Sequence, residues 1–203
     1  MGKFDKFAFS AHPAFDESEV RQAFAQAVPL KTVVIYCYDP RAAQIPCSVA
    51  KRFGETFPGQ LILDASGHKI ASTTNIFPVI VAGGRAFDAL RSVAVAQHLF
   101  GIENIVVVHH SHCGATTFTA SGIVSAFRAE QHADISHTFP HETLCIADYE
   151  QSLRGDVKLL RDHPATPRSA NIFGFFYEID SGELIEVVND LGSDGQHGPV
   201  PAE

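Results

Sequence analysis

Three short runs of apolar, mostly β-branched residues constrain this chain more than anything else in it. They lie at residues 32–36 (TVVIY), 78–82 (PVIVA) and 105–109 (IVVVH). None alternates polar with apolar positions. A strand that is apolar along its whole length is buried on both faces, the habit of parallel sheets covered by helices. Helical periodicity fills the intervals. A helix is expected over 17–27, capped by Asp16, with Val20, Phe24 and Val28 on one face and Pro29 after it. Others are expected over 45–53, over 86–100 up to Gly101, after Cys113, and over 147–161. Two hairpins complete the pattern, 61–63 with 69–72, and 172–179 with 184–188. The fold class that follows is α/β, a mainly parallel β-sheet flanked by helices.

Length and charge narrow the partners. The 203 residues suit one domain, with a helical arm over 1–29 and an extended tail over 190–203. A net charge of −8 weighs against non-specific binding to nucleic acid or to an anionic membrane. No apolar run approaches the roughly 18 residues of a membrane span, and residues 1–10 do not resemble a secretion signal. The expected location is cytoplasmic, so the four cysteines read as thiols or metal ligands and not as a disulfide framework.

Ligand sites in open parallel sheets lie past the carboxyl ends of the strands. Cys37 follows the first apolar run, and His110 and Cys113 follow the third. Zinc accepts thiolate and imidazole donors, and a catalytic zinc has three protein ligands and one open position. Two cysteines and a histidine make such a set. Asp39, two residues from Cys37, is placed to act beside the metal, and Arg41 can hold it ionised with a bidentate hydrogen bond. Either half alone is a weak signal. Together, C-x-D-x-R and H-x-x-C-G after separate apolar strands are far more specific.

On these residues the chain resembles the β-class carbonic anhydrases, in particular the short subgroup that includes carbonyl sulfide hydrolases. The resemblance extends to Ala82-Gly83-Gly84-Arg85, to Asp88 and Leu90-Arg91-Ser92, to residues 106–118 (VVVHHSHCGATTF), and to residues 156–164, 174–177 and 181–184. It implies one Zn2+ per chain held by Cys37, His110 and Cys113, with Asp39 and Arg41 as the catalytic dyad. It also implies a homodimer or homotetramer acting on a small molecule. Water activated by the metal then attacks a small linear heterocumulene. Carbon dioxide hydration to bicarbonate is the leading reaction, and carbonyl sulfide hydrolysis the alternative. Two sulfur donors favour activity at alkaline pH.

Some residues depart from the family pattern. Tyr38 and Pro40 stand inside the first motif, Val81 precedes the glycine turn, His112 lies between two candidate ligands, and residues 57–77 read as an insertion. These changes suit a drier pocket, to which Phe77, Phe87 and Phe118 are candidate contributors. A non-catalytic zinc module on the same fold is a further alternative. It needs a fourth protein donor, for which His112 or Cys47 would serve. Cys47 and Cys145 otherwise read as packed thiols, His132, His137 and His141 as solvated, His109 as support for a strand end, and Arg85 and Arg91 as helix-surface charges.

Overall fold

The apolar runs at 32–36 and 105–109 lie inside a five-stranded sheet, whereas the run at 78–82, expected to be buried on both faces, forms one edge and leaves Ile80 53% exposed. In the computed structural model, which describes residues 2–193, β1 (Thr32–Cys37) is buried at every position. It lies between β4 (Ile76–Val81) and β5 (Asn104–His110), parallel to both. Strand β6 (Asn171–Tyr177) continues the parallel set, and β7 (Leu184–Asp190) closes the edge antiparallel, giving the order β4-β1-β5-β6-β7. A separate two-stranded sheet, β2 (Leu61–Leu63) and β3 (Lys69–Ser72), carries the predicted insertion. The tail expected over 190–203 lies, from residue 194 onward, outside the described residues.

Successive strand residues face opposite sides of a sheet, so an all-apolar strand feeds two cores. Val33, Ile35, Ile105 and Val107 pack on one side with Val93, Leu153, Val157 and Leu160. Those partners come from α3 (Leu90–Phe100) and α5 (Tyr149–Asp162). Val34, Tyr36, Val106 and Val108 pack on the other side with Ile45 and Val49 of α2 (Ile45–Phe53). Burying each such side chain contributes roughly 1.5–3 kcal/mol, so both layers are needed to offset chain entropy. The arm carries α1 (Glu17–Ala27), capped as expected by Asp16, whose Oδ1 accepts from the Glu19 amide at 2.9 Å. Phe24 of this helix meets Phe100 of α3 with ring centroids 5.8 Å apart.

Two expected helices begin later than periodicity suggests. Residues Ala86–Ala89 wind as a 3-10 turn before α3, with the Ala86 amide donating sideways to the buried Asp156 carboxylate. After Cys113 only a 3-10 turn forms, Gly114–Thr116, and α4 (Ala120–Glu130) starts at the Thr119 cap. There the Thr116 and Thr117 hydroxyls donate to the carbonyls of Cys113 and Gly114, competing with helical bonding.

The Gly83-Gly84 turn crosses close over the ends of β1 and β5. Both glycines have positive φ, 62° and 69°. A Cβ on Gly84 would lie 2.6 Å from the Val108 carbonyl oxygen and 3.1 Å from Tyr36 Cα. Gly101 shares the conformation, φ 64°, but a Cβ there would meet nothing within 4 Å. Gly84→Ala is therefore expected to cost about 3 kcal/mol or more, combining left-handed strain with a backbone clash, and Gly101→Ala only about 1 kcal/mol. Urea unfolding midpoints at unchanged slope check the pair; equal shifts would mean that the crossing is not tight.

Candidate metal centre

Strands β1 and β5 end side by side, with Tyr36 in register with Val108. That register carries Cys37, the last residue of β1, to the end of β5, where His110 closes the strand. Cys113 then returns through His112, which holds a left-handed backbone at φ 55°. The donor atoms of Cys37, His110 and Cys113 all lie within 4.8 Å of one another, and all three residues are buried. Among the described residues no fourth His, Cys, Asp or Glu joins the group, so Cys47 and His112 do not close it. His132, His137 and His141 form no such group either.

The donor set fits zinc. Two sulfurs on one tetrahedral zinc, at bonds of about 2.3 Å, stand roughly 3.8 Å apart. Here the sulfurs are 3.9 Å apart, with the Cys113 thiol donating to Cys37. That hydrogen bond pushes the Cys37 thiol down to about 4 against the opposing effect of burial, with the amides of Asp39 and Gly83 adding to it. The same bond, together with burial, pushes Cys113 up. One proton thus stays shared between two sulfurs, and a cation is the natural replacement for it. The imidazole is prepared as well. His110 Nδ1 donates to the Ser111 carbonyl at 2.9 Å, while Nε2 is buried with no hydrogen-bond partner. A nitrogen fixed in this way offers its lone pair to a metal. The Cys113 amide donates to the Tyr149 hydroxyl at 3.3 Å, anchoring the loop behind the sulfur.

Asp39 stands beside this cluster and outside it. Its Oδ1 accepts from the Arg41 amide and from Arg41 Nε, each at 3.0 Å, and its Oδ2 accepts from an Arg41 terminal nitrogen at 2.6 Å. This fork holds the carboxyl down to about 2. The same terminal nitrogen of Arg41 also donates to the His112 carbonyl at 3.0 Å, tying the β1 loop to the β5 loop. Arg41 is 54% exposed, so the pair adds little to stability; what it supplies is orientation.

A cavity of about 700 Å³ opens onto Cys37 and Asp39. Its walls are mostly apolar, with Pro40, Phe118, Ile123, Phe139 and Leu144 among them. Of the three phenylalanines that sequence suggested, Phe118 lines the cavity, whereas Phe77 packs against the core. Asp88, also on the wall, is pushed up by burial.

Arg85 corrects a sequence expectation. It is no helix-surface charge: it is 5% exposed and pairs with Asp156, which is 1% exposed. Burial alone would push Asp156 up, but the hydrogen bonds from His109 and Arg85 hold it below the usual carboxylate range. His109, fully buried, reaches Asp156 through Nε2 at 3.3 Å. A signal for this network was present on α5. Leu153, Asp156, Val157 and Leu160 share the buried helical stripe, and a carboxylate in a stripe of that kind requires a buried cation.

No family model matches the sequence. The chain is 26% identical over 139 residues to a carbon disulfide hydrolase of Acidianus sp., covering 57% of this chain and 68% of that one. It is 31% identical over 100 residues to beta-carbonic anhydrase 1 of Mycobacterium bovis, covering 49% and 59% respectively. The chain thus spans less than two thirds of the mycobacterial relative's length. Among solved structures, a carbonic anhydrase of Streptococcus mutans superposes with a TM-score of 0.60 at 25% identity, over 93% of this chain and 99% of that one. In sequence the chain is thus similar to proteins of both named activities, and its sheet is shared almost end to end with a solved carbonic anhydrase, so the resemblance to the β-carbonic anhydrases holds in sequence and in fold.

Proposed function

We propose that the chain is a zinc enzyme that adds water to a small linear heterocumulene, and that its reaction is hydration of carbon dioxide to bicarbonate. The observation that carries this reading is the cavity that opens at once onto Cys37 of the donor cluster and onto Asp39, an ionised carboxylate outside that cluster. Cys37, His110 and Cys113 would hold the metal, which supplies the acidity that makes water nucleophilic near neutral pH. The chain's own groups do the rest. An Asp39 oxygen accepts the hydrogen of the attacking water and so aims its lone pair into the cavity. Arg41 keeps that carboxylate ionised and turned away from the cluster. The Ser111 carbonyl keeps the His110 ring in one tautomer. Carbon dioxide carries no charge and needs no cationic cradle, which suits apolar walls. The working assembly in this reading is a cytoplasmic homodimer or homotetramer of one-domain chains.

The apolar walls also favour a second reading, hydrolysis of a sulfur-bearing heterocumulene. Carbonyl sulfide and water would give carbon dioxide and hydrogen sulfide. Carbon disulfide, named in the Acidianus relative, is the all-sulfur counterpart. Initial rates on the three gases with one preparation of counted zinc separate the readings. The expected result is carbon dioxide hydration at about one zinc per chain. Sulfide release that outpaces hydration transfers the assignment to the second reading. Turnover of none of the gases by zinc-loaded protein defeats both.

A further inference from the structure

The Arg85–Asp156 pair is buried at the cavity's edge, where Arg85 is itself part of the lining, and a buried ion pair is seldom an efficient way to stabilise a fold. What the pair holds is therefore the informative question. Arg85 Nε and one terminal nitrogen donate to the two oxygens of Asp156 at 2.9 and 3.1 Å. The other terminal nitrogen points away and donates to two backbone carbonyls, Glu142 at 3.0 Å and Cys145 at 2.7 Å. Those carbonyls belong to the connection between α4 and α5, whose only regular structure near this point is the short turn His141–Thr143. The same connection contributes Phe139, Thr143 and Leu144 to the cavity. Its second tether is the Ile146 amide, which donates to the Ala115 carbonyl at 2.9 Å, two residues beyond Cys113.

We infer that Arg85 is a positioning residue, which Asp156 orients so that its free edge fixes the Phe139–Leu144 wall over the cavity. The inference rests on the functional reading above, because it takes that cavity as the substrate site. Only a planar guanidinium reaches a carboxylate with one edge and two carbonyls with another; an ammonium is a point charge on a flexible stem. Arg85 also follows Gly83 and Gly84 directly, and that turn lies close against the end of β1, where a Cβ on Gly84 would stand 3.2 Å from the Cys37 amide nitrogen. One residue therefore ties the far wall to the turn that packs against the end of the strand bearing Cys37.

The test compares wild type with Arg85→Lys at matched zinc content, in both exchange and kinetics. Amide hydrogen exchange across residues 139–147 is expected to quicken about tenfold or more, while β5 and β6 keep their protection. With the preferred gas, KM is expected to rise about tenfold and kcat to stay within about twofold, the split for lost positioning of bound substrate. Leu144→Ala should raise KM in wild type and add little in the Arg85→Lys background, since that wall is already released. Unchanged exchange in 139–147, or unchanged KM despite a lowered melting temperature, overturns the inference and leaves the pair purely structural. Should Arg85→Lys not fold, Asp156→Asn carries the same test, because it keeps the side chain's shape and weakens the orientation of Arg85. If wild type turns over no gas, the functional reading fails separately, and the exchange rates alone decide whether Arg85 anchors the wall.

Discussion

Replacing Cys113 with serine is expected to empty the metal site and silence the enzyme together. Serine keeps the size of the side chain but presents a hydroxyl that does not ionise at neutral pH, so one of two anionic donors is lost. The remaining Cys37 and His110 offer a thiolate and an imidazole, too few to hold zinc against solvent. Affinity should fall by at least on the order of 10³-fold, and turnover should fall with occupancy. A second signature separates metal loss from misfolding. A ligand that binds only the folded chain raises its melting temperature, and removing it takes that increment away. Wild type should therefore melt lower after chelation, and Cys113→Ser should be insensitive to chelator. Elemental analysis and paired melting curves read both effects. Full zinc occupancy in Cys113→Ser would remove this residue from the donor set.

The parts of the fold that carry the site were legible because they depend on local patterns. The runs at β1 and β5 are apolar at nearly every position and are buried on both faces as that implies, whereas the equally apolar β4 sits at the sheet edge with Ile80 exposed, a place set by strand order and not by the run itself. The bounds of α1 and α2 followed from Asp16 as a cap and from Pro46 in a first turn. That Cys37 and Cys113 come within 3.9 Å was suggested by the strand-end rule and by the family resemblance, since no local pattern joins residues 76 apart in the chain. What stayed hidden was decided by tertiary partners. The Ala86 amide bonds to Asp156, a residue 70 positions away, and so the start of α3 could not be read from periodicity. Arg85 looked like a surface charge because its partners, Asp156 and two carbonyls of an irregular connection, declare themselves only once that connection has folded. The apolar character of the cavity was anticipated from departures such as Tyr38, Pro40 and Val81, but which of the candidate phenylalanines face it depends on packing.

The second large effect is expected at Asp39, with the metal left in place. Asp39→Asn keeps the shape of the side chain and the amide carbonyl that can accept from Arg41, but it removes the charge and replaces one acceptor oxygen by a donor. In the proposed reaction that oxygen takes the hydrogen of the attacking water, and an amide nitrogen in its place repels that hydrogen and turns the lone pair away from the cavity. Positioned proton acceptors contribute about 10²–10⁴-fold to rate, and kcat/KM is expected to fall within that range. Folding should be nearly indifferent. The Asp39–Arg41 fork lies at the surface, with Arg41 54% exposed, and exposed pairs contribute about 1 kcal/mol or less. Zinc content should stay at the wild-type level, because Asp39 is outside the donor cluster. The combination of a large kinetic loss, an unchanged melting temperature and an unchanged metal count distinguishes a residue of the chemistry from one of the scaffold. An Asp39→Asn enzyme with wild-type turnover would show that the Arg41 fork only shapes the loop that joins His112 to the end of β1, and the proton would have to be accepted elsewhere.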